Sequence, residues 1–212
     1  MANIELLKVS PRKGALLVLA TDQPRQLASQ QLLALAYQAN GQVKEAVALL
    51  EQVVEIRGTT LAETHPDRLA SQHALALIYR ANGQVQEAVA LLEHVVEIRG
   101  TTLAETHPDR LASQHDLALI YHENGQVKEA IALLEQVVEI RGTTLAETHP
   151  DRLASQSTLA LIYRANGQVK EAVALLEQVV EIHKTTLAET HPNRIVSENA
   201  LSSCLQQLNL KL

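Results

Sequence analysis

Phenylalanine and tryptophan are absent, and four tyrosines are the whole aromatic complement of this 212-residue chain. Its apolar content must therefore pack as Ala, Leu, Val and Ile. Cys204 is the single cysteine, so no intrachain disulfide can form and a reducing compartment is expected. No apolar run approaches the roughly 20 residues of a membrane span. The first residues, Met1-Ala-Asn-Ile-Glu-Leu-Leu-Lys, lack the apolar centre and small-residue cleavage site of a signal peptide. A formal charge of −6 gives no general basic surface for nucleic acid or membrane. Neither a Gly-x-x-x-x-Gly-Lys-Ser/Thr loop nor a Gly-x-Ser-x-Gly elbow occurs. These absences lead to a soluble cytoplasmic protein without nucleic-acid or membrane partners, without a cofactor, and not an enzyme.

What is present is a period. Pro24, Pro66, Pro108, Pro150 and Pro192 stand 42 residues apart with no insertion. The segments 66–107, 108–149 and 150–191 are nearly identical, 24–65 is a looser copy, and 192–212 holds a half-copy and tail. A fixed period of this length means stacked supersecondary units rather than one globular core. Residues 1–23 begin no repeat; they read either as the remnant of a preceding unit or as a degenerate cap. Ser10-Pro11 supplies a helix start there, with Ser10 as the cap.

Each repeat is punctuated as two helices. In Thr64-His65-Pro66-Asp67, the proline suits a first helical turn, Thr64 or His65 is the cap, and Asp67 sits at the positive end of the dipole. Asn82-Gly83 closes that helix, because Gly accepts the left-handed conformation at no steric cost. Val85, Ala88, Val89, Leu92, Val95 and Val96 recur at helical spacing in the second helix, which runs through Gly100 towards Leu103. Leu91, Ile98 and Leu103 find cover only on the next repeat, so stacking is obligatory. At the end of the array, residues 192–208 read as a capping helix, with Leu205 in the place of the tyrosine.

Leu75-Ala76-x-x-Tyr79, Gly83 and Glu87-Ala88 resemble the signature of the tetratricopeptide repeat, whose usual period is 34 rather than 42. The longer period and the His-Pro-Asp opening are similar to the kinesin-light-chain subclass. The wording Arg-Leu-Ala-Ser-Gln, Ala-Asn-Gly-Gln-Val and Glu-Ala-Val-Ala-Leu-Leu-Glu resembles still more the repeat arrays of fungal NLR-like (STAND) proteins. The resemblance implies an all-α solenoid of antiparallel helix pairs wound as a right-handed superhelix. It also implies a concave groove for a protein or peptide ligand. Three functions are compatible with it: the ligand-sensing region of a fungal NLR-like receptor, a kinesin-light-chain-like adaptor for cargo peptides, and a structural module forming homo-oligomers through its repeat ends.

Near-identity makes the differences legible. Among the three closest copies only nine of 42 positions change, and three of these fall on a five-position stripe of the first helix, at 73, 80 and 81 with Ala70 and Leu77. In the resembling family the matching stripe contacts ligands. The expected groove residues are Gln31, Gln38, His73, Leu77, Arg80, His115, Leu119, His122, Glu123, Ser157, Leu161 and Arg164. Arg80 and Arg164 make this stripe more basic than the back, where Glu51, Glu55, Glu93 and Glu97 lie, and would suit an acidic peptide. The bland reading is drift at solvated positions after recent duplication. The nine histidines do not assemble a metal site, since His65, His107, His149 and His191 stand one repeat apart. Ser71, Ser113 and Ser155 recur beside Gln rather than a base, and Cys204 reads as a buried structural thiol.

Overall fold

A computed structural model describes residues 11–209, with side chains over 23–208. Nine helices and no strand occur among the described residues: α1 (Pro11–Ala39), α2 (Val43–Thr60), α3 (Pro66–Ala81), α4 (Val85–Thr102), α5 (Pro108–Glu123), α6 (Val127–Thr144), α7 (Pro150–Ala165), α8 (Val169–Thr186) and α9 (Pro192–Asn209). The chain divides between Asn82 and Gly83 into two units, the first holding α1–α3 and the second α4–α9.

In the second unit each helix packs on the next in sequence, and α5–α7 and α7–α9 also touch. The start of α5 is fixed by its sequence. His107 is extended, its Nδ1 accepts from the Asp109 N–H at 3.1 Å, and Pro108 opens the helix. His107 thus does the work usually given to Ser or Asp, satisfying one of the four donors a helix start leaves open. The helix stops because Gly125 adopts φ +83°. Its N–H reaches the His122 carbonyl at 3.1 Å and the Gln126 N–H reaches Tyr121 at 2.8 Å, a Schellman pair that satisfies the terminal carbonyls.

Helices α2, α4 and α6 pass through their glycine, and these and α8 end in extended residues, as α6 does at Leu145. Two arginines then close the joint to the following helix. Arg141, buried in α6, donates to the Asp151 carbonyl at 3.0 Å. Arg152 reaches back to the carbonyls of Gly142 and Leu145 at 2.9 and 3.0 Å. Cations at a helix C-terminus are favoured by the dipole, and these also fill the acceptors that the last turn leaves open. The core between these elements is aliphatic: Leu111, Ala118, Ala130, Leu134, Val137, Leu159 and Ile162 form one cluster. A second joins Ala160, Val169, Ala172, Val173, Leu176 and Cys204.

The first unit repeats this chemistry. Arg57 donates to the Asp67 carbonyl at 2.9 Å, and Arg68 to Gly58 and Leu61 at 3.0 and 3.1 Å. One expectation fails here. No helix begins at Pro24; α1 runs from Pro11 to Ala39 with Pro24 inside it. The reason lies beside the proline. Gln23 and Arg25 stand where His65 and Asp67 cap α3, so the residues that end one helix and start another are missing. Pro24 removes one main-chain donor from α1 but does not stop it. The cap expected at Ser10 lies outside the described residues.

Candidate ligand-binding face

The period assigns each first helix an inner and an outer face. On α5, Leu111, Leu117, Ala118 and Ile120 are buried, whereas His115, Leu119 and His122 are half-buried and Glu123 is exposed. On α7 the stripe Ser157, Leu161, Arg164 follows the same spacing, with Leu161 44% exposed. Arg164 Nη1 donates to Ser203 Oγ on α9 at 3.2 Å. In the first unit Gln31 and Gln38 on α1, and His73, Leu77 and Arg80 on α3, are half-buried. Gln31 is also bound inward: its Oε1 accepts from the buried Arg57 at 2.6 Å. That residue serves the joint as much as the surface.

Some positions that do not vary among the three copies are tied into packing. Ser113 is fully buried and donates to the Arg110 carbonyl at 2.9 Å. The Tyr121 hydroxyl donates to Glu93 Oε1 at 2.7 Å, and the Tyr163 hydroxyl to Glu135. In the first unit Tyr79 donates to Glu51 at 2.8 Å. Glu51 and Glu93, expected as part of a plain acidic back, therefore also link one helix to the next. Burial, then the hydrogen bond and charge of Glu93, push the Tyr121 phenol up to about 12. Tyr163 is raised for the same reasons.

The sequence reading missed one recess. In the second unit a cavity of about 450 Å³ lies between α7, α8 and α9. Ser157 and Leu161 of the predicted stripe line it, with Leu153, Leu176, Leu187 and Val196, and His183. His183 occupies the place of Arg57, Arg99 and Arg141 in the other repeats. Being shorter, it makes the bond the arginines do not: its Nδ1 lies 3.0 Å from Ser197 Oγ. The Ser197 hydroxyl proton is already given to the Arg194 carbonyl at 2.9 Å, so Nδ1–H is the donor of that pair. Burial, and secondarily the charge of His191, hold His183 below the ordinary histidine range, which favours the neutral ring. The signal was available in the Arg99/Arg141/His183 difference.

Among the described residues no three His, Cys, Asp or Glu side chains come together as a metal site. No helix among them is long and apolar enough to cross a membrane. Cys204 is buried, and its thiol is pushed up by that burial, partly offset by Arg164.

Family models described as tetratricopeptide repeat match residues 25–101, 67–143 and 152–193. The chain belongs to the tetratricopeptide repeat family. It is an all-α, tetratricopeptide-type solenoid of antiparallel helix pairs, a repeat scaffold on which function resides in surface residues. A kinesin-light-chain-like protein of Podospora anserina with nearly identical TPR-like repeats is 59% identical, covering 88% of this chain and 89% of that one, with a TM-score of 0.80. A point variant of that protein matches with the same 59% identity, over 88% of each chain, at 0.81. BtubC (BKLC) of P. vanneervenii, at 17% identity over 89% of this chain and 82% of that one, shares the fold with a TM-score of 0.70. No curated protein matches this sequence.

Proposed function

We propose that this tetratricopeptide repeat chain is a non-catalytic scaffold that binds a protein or peptide along its first-helix stripes. One observation carries the reading. Where otherwise near-identical repeats differ on these helices, the differing side chains His115, His122, Ser157 and Arg164 keep solvent-accessible surface, whereas Ser113 and Tyr121, the same residue in all three copies, are hydrogen-bonded into the packing. Variation at accessible side chains along one helix face is what a ligand-reading surface would produce. In the first unit Arg80 with Gln38 and Leu77, and in the second His122 and Arg164 with Leu119 and Glu123, supply the polar and apolar contacts.

The finer reading is the ligand-sensing repeat region of a fungal NLR-like receptor acting in the cytoplasm. The wording of the repeats supports it, and the Podospora relative supports only its fungal part. The same relative, described as kinesin-light-chain-like, favours a cargo-peptide adaptor as the second reading. A display library of 12-residue peptides panned on the intact chain tests the common part. Selected peptides should bind at least about tenfold more weakly to the triple variant Arg80→Ala, His122→Ala, Arg164→Ala. Undiminished binding would remove the stripe as the site. An adjoining nucleotide-binding domain in the full gene would favour the receptor; a heptad region would favour the adaptor.

A further inference from the structure

We infer that the cavity between α7, α8 and α9 is a specificity pocket for one uncharged, bulky apolar side chain of the bound peptide. This rests on the peptide-binding reading and adds to it where the anchor sits and what it is made of.

One residue of the lining, His183, differs from its counterparts at the other joints. At the preceding joints of both units, an arginine fills this position and donates to the carbonyl of the residue after the proline: Arg57 to Asp67, Arg99 to Asp109, Arg141 to Asp151. His183 is too short for that bond and turns to Ser197 instead. Beside it lies a recess of about 450 Å³, within the roughly 300–1,000 Å³ of ordinary ligand sites, into which an arginine at this position would project.

Its chemistry selects the occupant. No Asp, Glu, Lys or Arg lines it, and its one titratable group, His183, is held neutral by burial. The polar pair at His183 and Ser197 satisfies itself, so an entering group need not supply a hydrogen bond. A charge would be desolvated there without a partner, whereas an apolar group gains by leaving water. The mouth is apolar as well: Leu161 is 44% and Val196 66% exposed. Val196 stands where the preceding repeat has Ala154. Leu161 also belongs to the α7 stripe, so the recess opens onto the proposed peptide path rather than away from it. An occupant anchored in the pocket therefore continues outward, as a side chain on a peptide does.

Amide NMR on the whole chain tests this with N-acetyl-leucinamide and N-acetyl-phenylalaninamide as probes and N-acetyl-aspartamide as the charged control. The apolar probes should give saturable shifts at Leu161, Val196 and Ala200, and the control none. His183→Arg restores the residue of the other joints and so should fold; it should abolish the shifts, as should Ala154→Leu at the pocket wall. Absence of saturable shifts, or shifts that survive both substitutions, would overturn the pocket. In the display experiment, selected peptides should share one large apolar residue whose change to Ala weakens binding at least about tenfold, matched by His183→Arg. Peptides that bind His183→Arg undiminished yet fail on the triple-alanine variant refute the pocket and leave the stripe standing. Peptides indifferent to the triple variant but lost in His183→Arg refute the stripe and keep the pocket.

Discussion

His183 Nδ1 lies 3.0 Å from Ser197 Oγ, while Arg141, one repeat earlier, spans to the Asp151 carbonyl at 3.0 Å. The same place in the fold thus carries a neutral pair at one joint and a buried cation at another, and the two should respond differently to acid and to mutation.

Acid should weaken the His183 joint. The folded ring has its pKa below the unfolded value near 6.5, so the unfolded chain takes up the proton first. The contribution is whole above about pH 6.5 and is lost as the pH falls through the folded value. Urea unfolding followed at pH 7.5, 6.5 and 5.5 should show a steeper decline for the natural chain than for His183→Gln. Parallel curves would contradict the assignment.

Alkali should weaken the Tyr–Glu links. Tyr121 is raised to about 12 in the folded chain against about 10 unfolded, so its contribution is present below pH 10 and disappears between about 10 and 12. At neutral pH, Tyr121→Phe should cost roughly 0.5–1.5 kcal/mol, the usual net value of one hydrogen bond. It should also flatten the alkaline decline. Equal urea midpoints for variant and natural chain at pH 8 would show the bond to be idle.

Two glycines of one repeat should respond with opposite signs to the same change. Gly125 sits at φ +83°, a region that costs an L-residue roughly 1–2 kcal/mol, so Gly125→Ala destabilises. Gly142 lies within α6 and a β-carbon there meets open space, so Gly142→Ala should stabilise by about 0.5–1 kcal/mol. Thermal unfolding of the two single variants decides it.

Arg141→Met keeps the aliphatic stem of a buried side chain and removes its donor to Asp151. A loss of roughly 1.5–3 kcal/mol is expected, as for a hydrogen bond from a charged group. Arg141→His should cost less if a serine can answer it, because Ser155 stands where Ser197 pairs with His183. Chemical denaturation of both variants gives the comparison.

Much of this was written in the local chemistry of the chain. His107-Pro108-Asp109 and Asn124-Gly125 set the ends of α5 because capping and left-handed backbone act over a few residues. The stripe His115, Leu119, His122 followed from helical spacing, and its three side chains are half-buried. What escaped depended on partners distant in sequence. That Tyr121 meets Glu93, or that Gln31 is held by Arg57, follows only once the helices are stacked. The uninterrupted run of α1 through Pro24 follows from its neighbours, because a proline without a cap beside it does not start a helix. The cavity beside His183 is set by how α7, α8 and α9 pack together, which the order of residues along the chain does not display.

The arginine joints have a bearing on how such a chain can change length. Arg141 and Arg152 close their joint on main-chain carbonyls, as Arg57 and Arg68 do in the first unit. Because every residue type offers that oxygen, a joint of this kind places little demand on which copy lies on its far side. Genetic gain or loss of a whole 42-residue period would then leave each remaining arginine seam chemically unaltered, while the stripe is reshuffled.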